Sequence, residues 1–369
     1  MRLLGGFFGR SLLLCSLAWG SSSCGAKTGL RVWDSGTDTE PEDVFVRFDA
    51  CVAGRFTLVR RSAQMVFVID RSGSMDQPLM TAGGITRWGA MRTVFSRTLP
   101  MFENNLEMGV MFYPRVPVDS ILMYRQYCQL TSSGSIDVTP RLQNAGPVVD
   151  SIFRHNPWGA TPTAAAIVRA TEYLRSQDTR GRARYLVLAT DGAPNCNATL
   201  DGSTCLCLGG PSTCNSPEGV LSCLDDQGTL NAISAARREG VSTYVVGIDG
   251  DLERPFVDLL ERMADMGGRP RTDRPRYYSI RDLDTLQSAF TDIQRTVVQC
   301  AYVTPSRPDN PDAIEVSVAG RPIRRDPSRR DGWDWTDRDY GELTFFGPEC
   351  DAIAARRPPL DALVTCGDR

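Results

Sequence analysis

Between residues 65 and 299 short apolar runs alternate with longer amphipathic segments, and this constrains the fold more than any other feature of the chain. MVFVI (65–69), LEMGVMFY (106–113), RYLVLAT (184–190) and VSTYVVGI (241–248) are continuous apolar runs of strand length. Such runs mark strands covered on both faces. RYYSI (276–280) reads as one more strand. Apolar residues recur at helical spacing in 88–102, 144–153, 161–176, 230–240, 255–268 and 283–299. Pro162 suits the first turn of its helix, and Gly240 stops another. Strand–helix alternation over this length predicts an α/β fold, a doubly wound, mostly parallel sheet with right-handed crossovers. Such sheets take ligands at the carboxyl ends of their strands, where the strand order reverses.

Oxygen-bearing residues gather at those ends. VFVIDRSGSM (66–75) runs from a strand into Asp70, Ser72 and Ser74, and alternate residues leaving a strand can point the same way. Gly73 permits a sharp turn between the serines. LVLATDGAPN ends the fourth strand at Asp191, and GATPT (159–163) offers Thr161 at a helix start. All five side chains offer oxygen alone, the ligand type preferred by hard divalent cations. DRSGSM (70–75), GATPT and TDG (190–192), in this order, resemble the three loops of the von Willebrand factor type A domain. The resemblance covers about residues 65–299. It implies sheet order 3-2-1-4-5-6 with one antiparallel edge strand, placed at 135–138. It also implies a metal-ion-dependent adhesion site for Mg2+, with Mn2+ or Ca2+ as alternatives. Ser72 and Ser74 would bind the ion directly, and Thr161 directly or through water. Asp70 and Asp191 would act mostly through water and by fixing the hydroxyls. A protein partner's Asp or Glu would complete the shell.

This expectation is of binding, with no enzyme activity. His155 is the single histidine, there is no obvious nucleophile–base pair, and DRSGSM lacks the second aspartate of a DxDxT phosphatase-like pattern. A structural envelope protein with a purely stabilising metal is the alternative, and a metal-dependent hydrolase a weaker one. The net charge of −3 gives no basic footprint for nucleic acid.

Residues 1–23 carry Arg2, Arg10, a short apolar core and a run of small residues, the pattern of a secretory signal. The run ends in Cys24 and resembles a bacterial lipoprotein cleavage box, which implies lipidation of Cys24. Cysteine parity agrees: of twelve cysteines, Cys15 would leave with the signal and Cys24 would carry lipid, so an even ten remain. Residues 24–50 read as an acidic, flexible tether. The expected location is the bacterial cell envelope, at the outer membrane or cell surface, with membrane contact through the lipid anchor only.

Residues 51–299 form the predicted main domain, interrupted at 195–223 by an insert with Cys196, Cys205, Cys207, Cys214 and Cys223. An exported chain favours disulfides here over zinc. Five is odd, so at least one bridge leaves the insert if all ten cysteines pair, and Cys128 is the first choice as its partner. Residues 300–369 change to short strand-like segments broken by Pro, Gly and Asp, a small β-rich appendage. Cys300, Cys350 and Cys366 could staple it together with Cys51. The tryptophans of GWDWTD (332–337) are read as filling its core.

Overall fold

The computed structural model describes residues 51–366, apart from 61–62, 80–83, 116–127, 178–182, 209–212, 217–218, 249–253, 305, 307, 309, 339 and 340. The expected signal (1–23), Cys24 and the tether (24–50) lie outside the described residues. Among the described residues no helix is long and apolar enough to cross a membrane.

Two short strands come first, β1 (Gly54–Thr57) and β2 (Val59–Arg60). The alternating body follows as β3 (Ala63–Asp70), α1 (Arg87–Thr98), β4 (Glu107–Tyr113), β5 (Val138–Arg141), α2 (Ala145–Arg154), α3 (Thr163–Ser176), β6 (Ala183–Thr190), α4 (Asp226–Arg238), β7 (Val241–Ile248), α5 (Arg254–Gly267), β8 (Tyr278–Ile280) and α6 (Leu283–Arg295). Six of these strands form one sheet in the order β5-β4-β3-β6-β7-β8. All neighbours are parallel except β5, which is antiparallel at the edge. Counted in chain order within the sheet, this is the 3-2-1-4-5-6 arrangement. The alternation of side chains along β3 explains the double winding. Met65, Phe67 and Ile69 pack into one buried cluster with α1, α2 and α6, and Val66 and Val68 into another with α3, α4 and α5.

The edge strand lies at Val138–Arg141, later than the 135–138 expected from the sequence. Ser135 is tied back to the Ser132 carbonyl by its N–H (3.2 Å) and its hydroxyl (2.8 Å), which closes a turn there. Asp137 then spends its carboxylate on the Phe112 N–H at 2.8 Å. Gly109 on β4 lets this edge approach closely. A Cβ on it would stand 2.6 Å from the Val138 carbonyl oxygen and 2.8 Å from the Pro140 ring. Gly109→Ala is therefore expected to cost about 1–3 kcal/mol by overpacking, read as a lower urea midpoint. A loss below about 0.5 kcal/mol would show that β5 simply moves aside.

The C-terminal part holds β9 (Ala301–Val303), β10 (Ile314–Val318), β11 (Arg321–Ile323), β12 (Gly332–Asp337), β13 (Glu342–Phe346), α7 (Gly347–Arg356) and β14 (Leu360–Val364). They form two antiparallel sheets, β1-β14-β10-β11 and β12-β13-β9-β2. Residues 54–60, grouped by sequence with the main domain, thus pair into the appendage. Their half-buried alternation suits sheet edges, and a Cys51–Cys366 disulfide joins the two ends. The all-strand reading of 300–369 fails at ELTFFGPECDAI (342–353), where the strand stops at Phe346 and α7 begins at Gly347. Gly347 has φ 56°, and a Cβ there would meet the Arg330 carbonyl oxygen at 2.1 Å. Pro348 then sits in the first turn, where its missing N–H costs nothing. Cys350 on this helix bonds to Cys300. Trp333 and Trp335 share one face of β12, and their indole N–H groups donate to the carbonyls of Ile323 (3.0 Å) and Pro311 (2.9 Å). Both are core residues.

Candidate metal centre

β3 and β6 are neighbours on either side of the point where the chain reverses direction across the sheet, so Asp70 and Asp191 leave adjacent strand ends. A continuous chain of polar contacts joins them. The Ser72 N–H donates to Asp70 Oδ1 at 2.8 Å, Ser72 Oγ lies 2.9 Å from Ser74 Oγ, and Ser74 Oγ donates to Asp191 Oδ1 at 2.8 Å. Thr161 comes in from the loop before α3. A Cβ placed on Gly192 would lie 3.7 Å from Ser74 Oγ and 3.9 Å from Thr161 Oγ1. Glycine at this position keeps the space between the two hydroxyls open.

Backbone bonds lace the three loops together. The Trp158 N–H donates to the Arg71 carbonyl at 2.6 Å and the Gly73 N–H to the Gly159 carbonyl at 3.0 Å. Asn195 fixes the second loop to the third. Its side-chain oxygen accepts the Thr161 N–H at 2.8 Å, and its own N–H donates to the Thr161 carbonyl at 2.9 Å. Arg71 is buried, with its Nε donating to the Pro114 carbonyl at 2.8 Å.

Three neighbours of the site are not among the candidate ligands read from the sequence, although Thr190 belongs to the TDG loop. Thr190 donates its hydroxyl to Asp70 Oδ2 at 2.6 Å. Arg87, at the start of α1, donates to Asp191 Oδ2 at 2.6 Å. Asn195 is the third. The signals were present but weak: Thr190 sits directly before Asp191, Asn195 closes TDGAPN, and Arg87 is a lone cation near a helix start.

The two carboxylates are unfavourable as they stand. Asp70 and Asp191 are almost completely buried. Burial first, and the charge of Asp191 second, push Asp70 up to about 7. Burial also raises Asp191, against the pull of Arg87. Two desolvated carboxylates with three nearby hydroxyls are a donor set suited to a hard divalent cation, which would relieve their repulsion. The residues present therefore fit such an ion.

The cysteine-rich segment lies directly after this site. Cys205–Cys223 and Cys207–Cys214 close it internally, and Cys128–Cys196 joins it to the segment that follows β4. The sulfurs of Cys205, Cys214 and Cys223 lie within 4.8 Å of one another. All three are in disulfides, so they offer no thiolate to zinc.

The strand order and the three loops are those of a von Willebrand factor type A-like fold. No family model and no curated protein matches the sequence. Among solved structures the chain is similar to the PilB minor pilin from Streptococcus sanguinis, at 20% identity and TM-score 0.44 over 65% of this chain and 62% of the pilin. It is similar to the pilus adhesin SpaC from Lactobacillus rhamnosus GG, at 15% identity and TM-score 0.46 over 84% of this chain and 40% of the adhesin. It is also similar to a von Willebrand factor type A protein from Catenulispora acidiphila, at 13% identity and TM-score 0.41 over 87% of this chain and 64% of that one. The match thus spans about three fifths of the minor pilin. At such scores the fold assignment rests on the strand order and the loops described above.

Proposed function

We propose that this chain is an exported, lipid-anchored binding protein that holds a protein partner through a divalent cation at Asp70, Ser72, Ser74, Thr161 and Asp191. Mg2+ is the first choice, with Mn2+ or Ca2+ as alternatives. The observation that carries the reading is the convergence of five oxygen donors from three loops at the strand ends. When bound, the cation supplies an electrophilic centre for an acidic side chain. Two carboxylates balance its charge formally, and the hydroxyls add none. Ser74 and Thr161 flank the open space at Gly192, where a partner's Asp or Glu would enter. Asn195 and the Gly73–Gly159 bond hold those hydroxyls in place before the partner arrives. Adhesion or scaffolding in the cell envelope, with Cys24 as the lipid anchor, is the role this gives the chain.

No turnover is proposed. The ring of His155 lies against Phe112, with Nδ1 2.7 Å from the Ser151 carbonyl oxygen. A purely stabilising cation is the second reading, favoured by Arg87, which already ties α1 to Asp191 without any partner.

The test is thermal melting of the oxidised protein with and without Mg2+ or Mn2+, for wild type and Asp70→Ala. A ligand at 100 times its Kd stabilises by about 2.7 kcal/mol, a rise of a few degrees. The rise is expected in wild type and absent in the variant. No rise in wild type, or an equal rise in both, would overturn the cation site. A rise without cation-dependent capture of any acidic protein would leave the stabilising reading in its place.

A further inference from the structure

We propose that an arginine-lined cleft at the opposite end of the sheet from the metal centre binds a phosphate-bearing ligand. The cleft encloses about 380 Å³ between the end of α4, the segment joining α5 to β8, and the turn joining β11 to β12. α4 ends where β7 begins, which places the cleft at the amino ends of the parallel strands. Its volume lies in the range of small-ligand pockets, roughly 300–1,000 Å³, and exceeds what a bare ion needs.

Arg237, Arg271, Arg276, Arg329 and Arg330 line it, against a single carboxylate, Asp265. Arg276 takes up that carboxylate, with its Nε at 3.0 Å and Nη2 at 2.8 Å from Oδ1. Asp334 beside the cleft is shared between Arg329 (3.0 Å) and Arg325 (2.9 Å). Among the described residues Arg330 pairs with Asp273 alone, at 3.7 Å, and both side chains are largely exposed. Arg271 lies with its guanidinium carbon 5.7 Å from the centre of the Tyr278 ring and makes no ion pair among the described residues. Asp292 acts on Arg271, Asp312 takes Arg325 and Asp326 supports the turn, so what marks the cleft is its lining, five guanidinium groups against one carboxylate.

The cleft is built rather than accidental. Gly268 has φ +76°, and a Cβ there would stand 2.8 Å from Arg237 Nε. Glycine lets this guanidinium lie flat on the backbone. Arg329 has φ 58°, an unfavourable conformation for a side-chain-bearing residue. The Asp326 carboxylate holds that turn by accepting the N–H groups of Ser328 (3.0 Å), Arg330 (3.0 Å) and Asp331 (3.1 Å). The backbone that carries Arg329 and Arg330 is thus held by Asp326, and that of Arg271 by its N–H, which donates to the Arg276 carbonyl at 2.8 Å. Guanidinium forks match phosphate oxygens in pairs, and a lining with five such forks suits that ligand chemistry.

The test uses the full chain at fixed ionic strength, titrated calorimetrically with inorganic phosphate and with pyrophosphate. A second arm measures co-sedimentation with phosphatidylglycerol vesicles against phosphatidylcholine vesicles. Arg271→Gln and Arg330→Gln are compared with Arg169→Gln, a control on α3. Saturable binding is expected, weakened about tenfold or more by each cleft variant and unchanged in the control. Melting checks that the variants fold, and Arg330 is exposed enough for its loss to leave the fold intact. Binding of the soluble anions would identify a free phosphate compound. Binding of phosphatidylglycerol vesicles alone, lost in Arg330→Gln, would identify a lipid headgroup. No saturable binding in either arm, or an equal loss in Arg169→Gln, would overturn the proposal. None of this depends on the metal centre.

Discussion

Glu342→Gln is expected to destabilise the protein by about 3–5 kcal/mol, the cost of leaving a buried charge without its partner. Glu342 on β13 is 2% exposed, and its partner Arg269 is 6% exposed. Arg269 Nη2 donates to Oε1 at 2.5 Å, Thr336 donates to the same oxygen at 2.8 Å, and the Tyr185 hydroxyl donates to Oε2 at 3.0 Å. The rings of Tyr185 and Tyr244 lie 5.0 and 6.0 Å from the guanidinium carbon. Tyr185 and Tyr244 belong to the parallel sheet, and Glu342 and Thr336 to the appendage. The pair therefore clasps the two parts of the fold. Glutamine keeps the shape and removes the charge, so Arg269 is left buried and uncompensated. Replacing both partners, as in Arg269→Met with Glu342→Leu, is expected to recover most of the loss, because the desolvation of both ions then disappears. Urea unfolding measures both. A loss under about 1 kcal/mol for Glu342→Gln would show that the two parts are joined by apolar contacts alone.

In the absence of divalent cations, raising the pH from about 4 to about 7 is expected to weaken the fold. Asp70 has an ordinary value of 3.8 and is pushed up to about 7 in the native protein, by burial and then by Asp191. The unfolded chain gives up this proton near the ordinary value, while the native chain keeps it to about 7. Across that window the native state binds more protons, so stability falls as pH rises, by on the order of 4 kcal/mol for the full span. The contribution is whole below the unfolded value and gone above the folded one. Asp191 adds in the same direction, with Arg87 opposing. A divalent cation replaces the proton, so saturating Mg2+ should flatten the curve, and cation affinity should climb with pH up to about 7. Urea midpoints at several pH values, with chelator or with Mg2+, give the answer. Asp70→Asn should flatten the chelator curve by itself. A chelator curve that rises through this window in wild type would mean that the two carboxylates do not repel each other as their burial implies.

The five oxygen donors were legible in the sequence because each sits where local geometry puts it. Asp70, Ser72 and Ser74 follow a strand at alternate positions, Thr161 precedes a helix, and Asp191 ends a strand. The contacts of their supports were not legible, even for Thr190 inside the TDG loop. Thr190 reaches Asp70 across 120 residues, Arg87 reaches Asp191 across 104, and Asn195 reaches Thr161 across 34. A threonine at a strand end or an arginine at a helix start has many uses, and only packing selects one. The cysteines show the same division. Parity required a bridge out of the insert, but the structure chooses Cys196 as the insert's partner for Cys128.

By itself the sequence determined the class of fold, the strand order implied by its three loops and the place where oxygen donors gather. The class of fold and the gathering of oxygen donors follow from side-chain period, turn chemistry and the fixed hand of crossovers, which act over neighbouring residues; the strand order is what the resemblance of the three loops implied. The tertiary structure decided the rest. It took 54–60 into the appendage sheets, turned Gly347–Arg356 into a helix, buried the Arg269–Glu342 pair and collected five arginines around one cleft. Each of those outcomes depends on which surfaces meet after long stretches of chain have folded, and burial and charge pairing between distant residues leave no period in the sequence to read.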